Sequence, residues 1–548
     1  MAFPSHGITH RSTVTGTRGM VTSAHPIASL AGVRILLQGG NAFDAAVAVA
    51  STLNVVEPYM SGLAGCGYML VYSAKEQRIR VLDYMGTSPY QATLEAYSEP
   101  RSNESGIRSG MVPGACGGWI SLLNEYGSMS LSDVFSPAIE YAEKGYAVTV
   151  KNAFFMDGAS SEFSNNWSNI TMASKVMMFR GRTPLPGEVL IQKDLAKTFR
   201  QVVSGGMDTF YHGEIAQEIA QFSRQNGGLI TEKDLEDFQV EWHNPISIPY
   251  KGYEIYCPPP PCSGFQYLET LNILETDSLA DLGHNSADYL HLLIESIKLA
   301  SADRAEYACR QDPKIAGLLS KGYATNQRQR IKPEAGIGGG ERHTNDKLAR
   351  EILPGAPSQW INECTTHFDV VDNQGNAVAT TQSLGSGFGS GVVLGNTGMF
   401  LNNLMNWFDL LPESPNVVAP HKKIEMCMSP CQIWKDNNLF AVLGTPGGHG
   451  ILQTTPQMIL NLIEHEMNIQ AAIEASRVRI EHPGTDVGVE ERISSHVREE
   501  LAARGHEVRV LPAWTAAVGG GQGIAIDPEE GSFMGGADPR RDGYAIGI

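Results

Sequence analysis

The chain has 548 residues, of which 42% are hydrophobic and 18% are charged, and its formal net charge is -18. This composition is typical of a globular protein, and the acidic balance argues against general binding to nucleic acid or to an anionic membrane. The sequence contains no apolar run of membrane-spanning length and no signal-peptide pattern at its start, so we expect a cytoplasmic location. The eight cysteines include no CxxC pair, and no zinc-site spacing occurs, so we expect no metal and no cofactor.

The first third of the chain predicts a mixture of helices and strands. The stretch NAFDAAVAVASTLNVVEP opens on Asn41, a favourable N-cap residue, and is apolar on nearly all sides, which predicts a buried helix. The short apolar run YMLVY predicts a strand. The stretch LSDVFSPAIEYAEKGYAV predicts an amphipathic helix that begins at Ser132 or Asp133.

The middle of the chain predicts two further helices and one long loop. The helices lie in PPPPCSGFQYLETLNILE, where prolines fix the approach, and in ADYLHLLIESIKLASADRAEYA. Residues 333–347, PEAGIGGGERHTNDK, are polar and rich in glycine, which predicts a loop. This loop precedes a hairpin that begins with a doubled threonine, and an accessible segment would be needed there if the chain were to be cut.

The hairpin is predicted in TTHFDVVD, NQG and NAVATTQS, where β-branched and apolar residues flank a turn. If the loop is 373–375, Thr365 lies opposite Ser383 and Thr381 is a diagonal neighbour on the same face. Thr366 then points to the other face. One face of the hairpin would carry three hydroxyl groups near its start.

Three hydroxyls on one strand face are most often a threonine ladder without chemistry. An interior threonine has no base beside it, so catalysis requires that the chain be cut before Thr365. The freed α-amine, with a pKa of about 8, would then act as the general base for the hydroxyl of the same residue.

The hairpin sequence resembles the start of the small subunit in the gamma-glutamyltransferase family of N-terminal-nucleophile hydrolases. Further stretches resemble family landmarks in the same order, among them GGNAFDAAVAVA, GLAGCGYMLV, PPPPCSG, ADRAEY, GTPGGHG and GGADPRRDG. The resemblance implies a four-layer αββα fold of the α/β class, made as one precursor. Self-cleavage between Cys364 and Thr365 would give a large fragment, 1–364, and a small fragment, 365–548, which remain together as an intertwined heterodimer.

The resemblance also implies the catalytic residues. Thr365 would be the nucleophile that attacks an amide carbonyl and forms an acyl-enzyme. Ser383 matches a hydroxyl that binds the amine of the nucleophile, and Thr381 matches another hydroxyl near it. Gly447 and Gly448 match residues whose backbone N–H groups stabilise the oxyanion, and glycine permits such a close approach.

The residues that read a free amino-acid head group in the family are replaced here. The position of the family arginine that binds the α-carboxylate is occupied by Met85, and the family asparagine after the Ser383 position is Gly385. The acid that holds the α-amine falls at Trp407 or Asn406, and Asp409 is a shifted alternative. The full set of candidate substrate-binding residues is Met85, Gly385, Leu404, Trp407, Met426 and Cys427.

These departures predict an amidohydrolase that acts on a small or apolar acyl amide, with water or an amine as acceptor. They resemble the hydrolase-leaning branch of the family, which includes oxamate amidohydrolase and cephalosporin acylases. A gamma-glutamyltransferase or glutathione hydrolase with relocated contacts is the alternative, and an uncleaved, inactive binding protein is the second alternative. Lys422, Lys423 and His449 could be replacement anion contacts, although solvated surface positions are the more common role for such residues.

Overall fold

The computed structural model describes residues 7, 9–99, 102–163, 182–310, 313–335, 364–480 and 486–548. Its strands are numbered in chain order as β1 (Val14–Gly16), β2 (Gly19–Ser23), β3 (Cys66–Ser73), β4 (Arg78–Asp83), β5 (Tyr146–Ala147), β6 (Val189–Leu190), β7 (Glu241–His243), β8 (Ile246–Tyr250), β9 (Tyr253–Cys257), β10 (Cys364–Asp372), β11 (Ala377–Gly385), β12 (Cys431–Lys435), β13 (Asn438–Gly444), β14 (Val478–Ile480), β15 (Asp486–Glu490), β16 (Glu507–Leu511), β17 (Gln522–Asp527), β18 (Ser532–Ala537) and β19 (Tyr544–Gly547).

The helices are likewise numbered in chain order. They are α1 (Pro26–Leu37), α2 (Ala42–Val56), α3 (Ala115–Tyr126), α4 (Leu131–Lys144), α5 (Val150–Phe163), α6 (Lys193–Tyr211), α7 (Glu214–Gln225), α8 (Glu232–Glu236), α9 (Phe265–Leu274), α10 (Leu279–Leu282), α11 (Ala287–Tyr307), α12 (Ile315–Leu318), α13 (Lys321–Arg330), α14 (Ile451–Ile463), α15 (Ile469–Glu474) and α16 (Ser495–Ala503).

Two seven-stranded sheets form the centre of the fold. The first has the strand order β19-β2-β10-β11-β3-β4-β7, and the second has the order β1-β18-β17-β13-β12-β9-β8. Strands β10 and β11 of the first sheet lie against β13 of the second, so the two sheets are stacked face to face. Helices α1 and α2 cover the outside of the first sheet, and α9 and α14 cover the outside of the second. The expected four-layer αββα arrangement is confirmed.

Helix α2 explains why the first layer holds together. Every residue of this helix is buried, and its side chains are mostly alanine and valine, which allow close packing against α1 and the sheet. Asn41 caps the helix as expected, and a reciprocal hydrogen bond from the Asn41 backbone to Asp44 completes a capping box.

The predicted N-cap of α4 was wrong by two or three residues. The N-cap is Ser130 rather than Ser132 or Asp133, because Ser130 and Asp133 satisfy each other's backbone N–H groups in a capping box. The other predicted helices are confirmed as α9 and α11. Most of the loop predicted at 333–347 lies outside the described residues, which stop at 335. Among the described helices, none is both long and apolar enough to cross a membrane.

The hairpin register is confirmed. Strands β10 and β11 pair antiparallel with Thr365 opposite Ser383 and His367 opposite Thr381. Gly375 closes the turn with φ of 85°, a conformation that glycine adopts without strain. The register shifts between Cys364 and Thr365. A regular ladder would place Cys364 opposite Leu384, but Cys364 lies opposite Gly385. The ladder is therefore irregular at the peptide bond that precedes Thr365.

Candidate active site

Thr365 lies on the face of β10 that points between the two sheets. Two residues further along, His367 packs against the second sheet. The contact is so close that a Cβ atom added to Gly444 of β13 would lie only 2.3 Å from His367 Cε1. Thr366 faces the opposite way and donates to Glu57 Oε2 at 2.9 Å, at the end of α2. Since side chains alternate across a strand, Thr365 shares the inner face with His367.

Ser383 is the centre of the hydrogen bonds around Thr365. Thr365 Oγ1 donates to Ser383 Oγ at 3.4 Å, and the Gly385 backbone N–H donates to the same oxygen at 2.7 Å. The Ser383 hydroxyl in turn donates to the carbonyl oxygen of Cys364. One hydroxyl group therefore connects the Thr365 side chain with the carbonyl group directly before it.

Arg541 holds the backbone on the other side of Thr365. Its Nη1 donates to the Thr365 carbonyl oxygen at 2.9 Å, and its guanidinium carbon lies 5.3 Å from the ring centroid of Phe155. Behind the strand, Glu57 is completely buried. Burial raises the pKa of Glu57 to about 7, although Arg541 and the hydrogen bond from Thr366 oppose this increase.

A hydrogen-bonded chain runs along the same inner face. His367 Nδ1 and Thr381 Oγ1 are 2.8 Å apart, and His367 Nε2 lies 3.0 Å from Asp369 Oδ1. Thr22 Oγ1 donates to the second oxygen of Asp369 at 3.1 Å. Sequence reasoning placed Thr381 on this face but missed His367 and Asp369. Their alternation with Thr365 at a period of two was the signal that could have identified them.

The turn 447–450 has a backbone that favours glycine. Gly447 has φ of 129° and Gly448 has φ of 52°, values that residues with a Cβ rarely adopt. Gly450 N–H donates to the Gly447 carbonyl oxygen at 2.9 Å and closes the turn. The turn begins three residues beyond Gly444, which contacts His367, so at most about 10 Å of chain separates it from the contact with β10.

Gly385 and Leu404, two of the candidate substrate-binding residues, lie together beside Ser383. A Cβ atom on Gly385 would lie 2.2 Å from Asn403 Oδ1 and 3.4 Å from Leu404 Cδ2, and Gly385 has φ of 101°. A side chain at this position therefore requires Asn403 to move. This crowding accounts for glycine where the family resemblance leads one to expect asparagine.

Most of the candidate substrate-binding residues are buried, and they lie in apolar surroundings. A single hydrophobic cluster contains Met85, Leu404, Met426 and Cys427, each at most 1% exposed. Trp407 lies at the edge of this cluster and is partly exposed, and its ring meets the ring of His449 edge-on at a centroid distance of 4.7 Å. A cavity of about 470 Å³ adjoins the same stretch of chain and is lined by residues that include Pro261, Cys309, Lys422 and Glu425.

The expectation that Lys422, Lys423 and His449 are solvated surface residues holds only in part, because each is partly exposed but also contacts protein groups. Lys423 Nζ pairs with Asp83 Oδ2 at 2.8 Å, and Lys422 Nζ donates to two backbone carbonyl oxygens at 3.0 and 2.9 Å. His449 Nε2 accepts from Arg304 Nη1 at 3.0 Å. Partial burial makes these protein contacts preferable to hydration, because a buried polar group needs a partner.

Asp409, the shifted candidate for binding an amine, is engaged within its own loop. Its carboxylate accepts from the Ser414 hydroxyl, and its backbone N–H donates to the Asn416 carbonyl oxygen at 3.0 Å. Asn406 is exposed at the surface. Neither position therefore reproduces a buried acid beside Ser383.

Among the described residues, two groups carry metal-ligand atoms close together. The first consists of His291, Glu295 and His506, and the second consists of Asp83, Glu241 and His243. In each group a lysine already supplies positive charge. Lys298 pairs with Glu295 at 2.8 Å, and Lys423 pairs with both acids of the second group. Ion pairing accounts for both arrangements.

Comparisons with known proteins identify the family. The family profile described as Gamma-glutamyltranspeptidase matches residues 28–548. The Acylase ACY 1 proenzyme of Pseudomonas sp. (strain SE83) is 36% identical over 97% of this chain and 94% of that protein. The Glutathione hydrolase proenzyme of Bacillus subtilis (strain 168) is 35% identical over 97% of this chain and 92% of that protein.

A solved structure agrees with these sequence relatives. The crystal structure of cephalosporin acylase from Bacillus halodurans superposes with a TM-score of 0.90 and 32% sequence identity, covering 100% of this chain and 98% of that chain. The match extends over the whole length on both sides and includes both sheets. The chain therefore belongs to the gamma-glutamyltranspeptidase family and is a hydrolase of that family that acts on amide bonds.

Proposed function

We propose that the chain is a precursor that cleaves itself before Thr365 and then uses Thr365 to hydrolyse or transfer the acyl group of a small or apolar amide. The observation that carries this proposal is the position of Ser383. Its hydroxyl accepts a hydrogen bond from Thr365 Oγ1 at 3.4 Å and donates one to the Cys364 carbonyl oxygen. These are the two groups that must react if the chain is to cut itself.

Self-cleavage would proceed as an acyl shift. Thr365 Oγ forms a bond to the carbonyl carbon of Cys364 while its proton leaves through Ser383. The Cys364–Thr365 C–N bond then breaks, the nitrogen takes the proton, and an ester joins Cys364 to Thr365 Oγ. Water hydrolyses this ester, which leaves a carboxylate on Cys364 and a free amine and hydroxyl on Thr365.

Turnover would use the same nucleophile. The free α-amine of Thr365, with a pKa of about 8, takes the hydroxyl proton as Thr365 Oγ attacks the substrate carbonyl. The amine of the substrate leaves with that proton, and water or a second amine releases the acyl group. The backbone N–H groups of Gly447 and Gly448 are the proposed donors to the oxyanion, and a preset donor of this kind contributes ~2.7–4 kcal/mol.

The apolar surroundings of the candidate substrate-binding residues support an uncharged acyl group. Met85, Leu404 and Met426 offer no charge or hydrogen bond to a zwitterionic head group. A substrate with free amino and carboxylate groups would therefore be desolvated without partners, at a cost of several kcal/mol. Relatives named acylase are consistent with acyl groups of another kind.

Gamma-glutamyl transfer or glutathione hydrolysis is the second candidate function. The specific observation in its favour is the 35% identity to the Glutathione hydrolase proenzyme of Bacillus subtilis over nearly the whole chain. A gamma-glutamyl anilide measured beside a panel of simple alkyl and aryl amides separates the two candidates. Faster turnover of the gamma-glutamyl compound would favour the second.

Intact-mass analysis of the purified protein tests self-cleavage. We expect two fragments that meet between Cys364 and Thr365, and a Thr365→Ala variant that remains intact. The matched control is Thr380→Val, since the Thr380 hydroxyl is buried and makes no hydrogen bond among the described residues. A wild-type chain that stays full-length after long incubation would contradict the proposal and support an uncleaved binding protein.

A further inference from the structure

A largely buried cluster of charged and polar side chains reaches the glycine turn 447–450. It consists of Ser263, Arg304, Glu425 and His449, and is called the Glu425 cluster below. Glu425 Oε1 accepts from the Ser263 hydroxyl and from Arg304 Nη1, the latter at 3.2 Å. Arg304 Nη1 also lies 3.0 Å from His449 Nε2, and that nitrogen lies 3.8 Å from Glu425 Oε2.

The carboxylate of Glu425 is held in its charged form. Its side chain is only 6% exposed. Burial would raise its pKa, but the positive charge of Arg304 and the hydrogen bond from Ser263 oppose that effect and hold the pKa below its ordinary value. Glu425 therefore carries a full negative charge at every ordinary pH, and its partners must remain in place because an unpaired buried charge is costly.

His449 connects this cluster to the turn. The sequence from 447 to 450 is Gly-Gly-His-Gly, so His449 carries the only side chain of the turn. The ring is held by Arg304 through Nε2 and by Trp407 at a centroid distance of 4.7 Å. Glycines with positive φ have no side chain to anchor them, so the orientation of the peptide groups at 447 and 448 depends on how His449 is held.

The Glu425 cluster also joins the two proposed fragments. Ser263 and Arg304 precede the proposed cleavage point, whereas Glu425 and His449 follow it. Arg304 lies on α11, near its C-terminal end, and His449 lies two residues before α14. The orientation of the turn is thus fixed by a helix of the large fragment as well as by the small fragment.

We propose that Glu425 is a positioning residue for acyl transfer at Thr365, which holds Arg304 and His449 so that the N–H groups of the turn 447–448 face the developing oxyanion. This inference rests on the proposed function. Glu425 itself touches neither the nucleophile nor the acyl group. Because preset donors act on the tetrahedral state more than on the bound substrate, loss of this support affects kcat more than KM.

The test is a Glu425→Gln variant, which keeps the size of the side chain and removes its charge. Glu464→Gln is the matched control, since Glu464 is also buried and accepts from Tyr250 Oη at 2.6 Å. On the self-cleaved fraction of each protein, with the best amide of the panel, we expect kcat of Glu425→Gln to fall about 10- to 100-fold while KM changes less than about threefold. Glu464→Gln retains wild-type kcat.

A boronic acid inhibitor provides the second measurement, because it forms a tetrahedral adduct with a nucleophilic hydroxyl and so probes the oxyanion donors. Its affinity should fall by about the same factor as kcat. If Glu425→Gln does not fold, His449→Gln, which keeps an acceptor for Arg304, is measured in the same way. His449→Gln should lower kcat and boronate affinity to a smaller extent, because the contact with Trp407 is lost.

Four outcomes would overturn the inference. Unchanged kcat with a lowered melting temperature would make Glu425 a stabilising residue only. A raised KM with unchanged kcat would make it a substrate contact. An inactive wild-type protein would contradict the proposed function and this inference together, whereas an active wild type beside an equally active Glu425→Gln would contradict this inference alone.

Discussion

Ser383 donates its hydroxyl hydrogen to the carbonyl oxygen of Cys364, the residue directly before Thr365. The same oxygen of Ser383 accepts from the Gly385 backbone at 2.7 Å, which fixes the direction in which the hydroxyl points. This contact occurs where the β10–β11 register shifts, so the Cys364 carbonyl is held by a side chain at a break in the regular ladder. A peptide group polarised in this way is a better electrophile.

Replacement of Ser383 by alanine should slow self-cleavage. Removal of a preset donor to a developing oxyanion typically lowers the rate about 100-fold or more. We expect the rate at which the two fragments appear to fall by a factor of that order. Ser383→Thr keeps the hydroxyl and should cleave at a rate much closer to wild type. Ser390→Ala is the matched control, because Ser390 also donates a buried hydrogen bond to a backbone carbonyl, that of Leu401 at 2.9 Å. Wild-type cleavage by Ser383→Ala would remove Ser383 from the mechanism.

Introduction of the family arginine at Met85 should not create gamma-glutamyl activity. Met85 is 1% exposed within an apolar cluster, so Met85→Arg buries a charge and should lower the free energy of unfolding by about 3–5 kcal/mol. Met85→Leu keeps the volume and should cost less than about 1.5 kcal/mol. Chemical denaturation measures both values. A stable Met85→Arg variant with increased gamma-glutamyl turnover would show that the position still serves as a head-group reader.

Glu57 should make the intact precursor less stable as the pH rises. Burial raises its pKa to about 7, so between about pH 4.5 and 7 the unfolded chain loses this proton while the folded chain keeps it. Ionisation of the unfolded state therefore lowers the free energy of unfolding across that window. In the Thr365→Ala background, in which we expect no cleavage, the stability advantage of Glu57→Gln over Glu57 should increase from pH 5 to pH 8. A difference that is independent of pH would contradict the raised pKa.

Gly447→Ala should reduce kcat without unfolding the protein. A Cβ atom has room there, since its nearest neighbour would be Gly519 Cα at 3.7 Å, but φ of 129° is unfavourable for alanine. The turn must therefore rotate, which moves the proposed oxyanion donor, and we expect a loss of about 100-fold in kcat. Gly531→Ala is the control, because it places alanine at a positive φ of 63° in a remote turn with open space around it. Equal kcat in both variants would argue against a role for Gly447.

The hairpin register and the buried helix α2 could be predicted because both follow from local rules. Alternation at a period of two, together with an Asn-x-Gly turn, determines which residues are opposite Thr365. An all-apolar helix after a good N-cap has one stable environment, the interior. The start of α4 was less certain because Ser130 and Ser132 are both acceptable N-caps, and only the hydrogen bonds of Ser130 with Asp133 distinguish them.

The Glu425 cluster could not be predicted in the same way. Its members come from four separate parts of the chain, and the sequence around Glu425 and His449 does not indicate that Arg304 lies between them. Lys423 was likewise expected at the surface, yet it pairs with Asp83 at 2.8 Å. Such pairings depend on which loops are adjacent in space, and no local pattern encodes that adjacency.

The sequence by itself determined the family and the opposition of Thr365 and Ser383, because each depends on residues that are close along the chain or match a motif. Only the tertiary structure decided the rest. It placed His367 against the second sheet with Asp369 bound to its ring, put Arg541 on the Thr365 carbonyl, and assembled a charged cluster behind the glycine turn. The physical reason is that burial forces polar groups to find partners, and the packing of distant segments determines which partners are within reach.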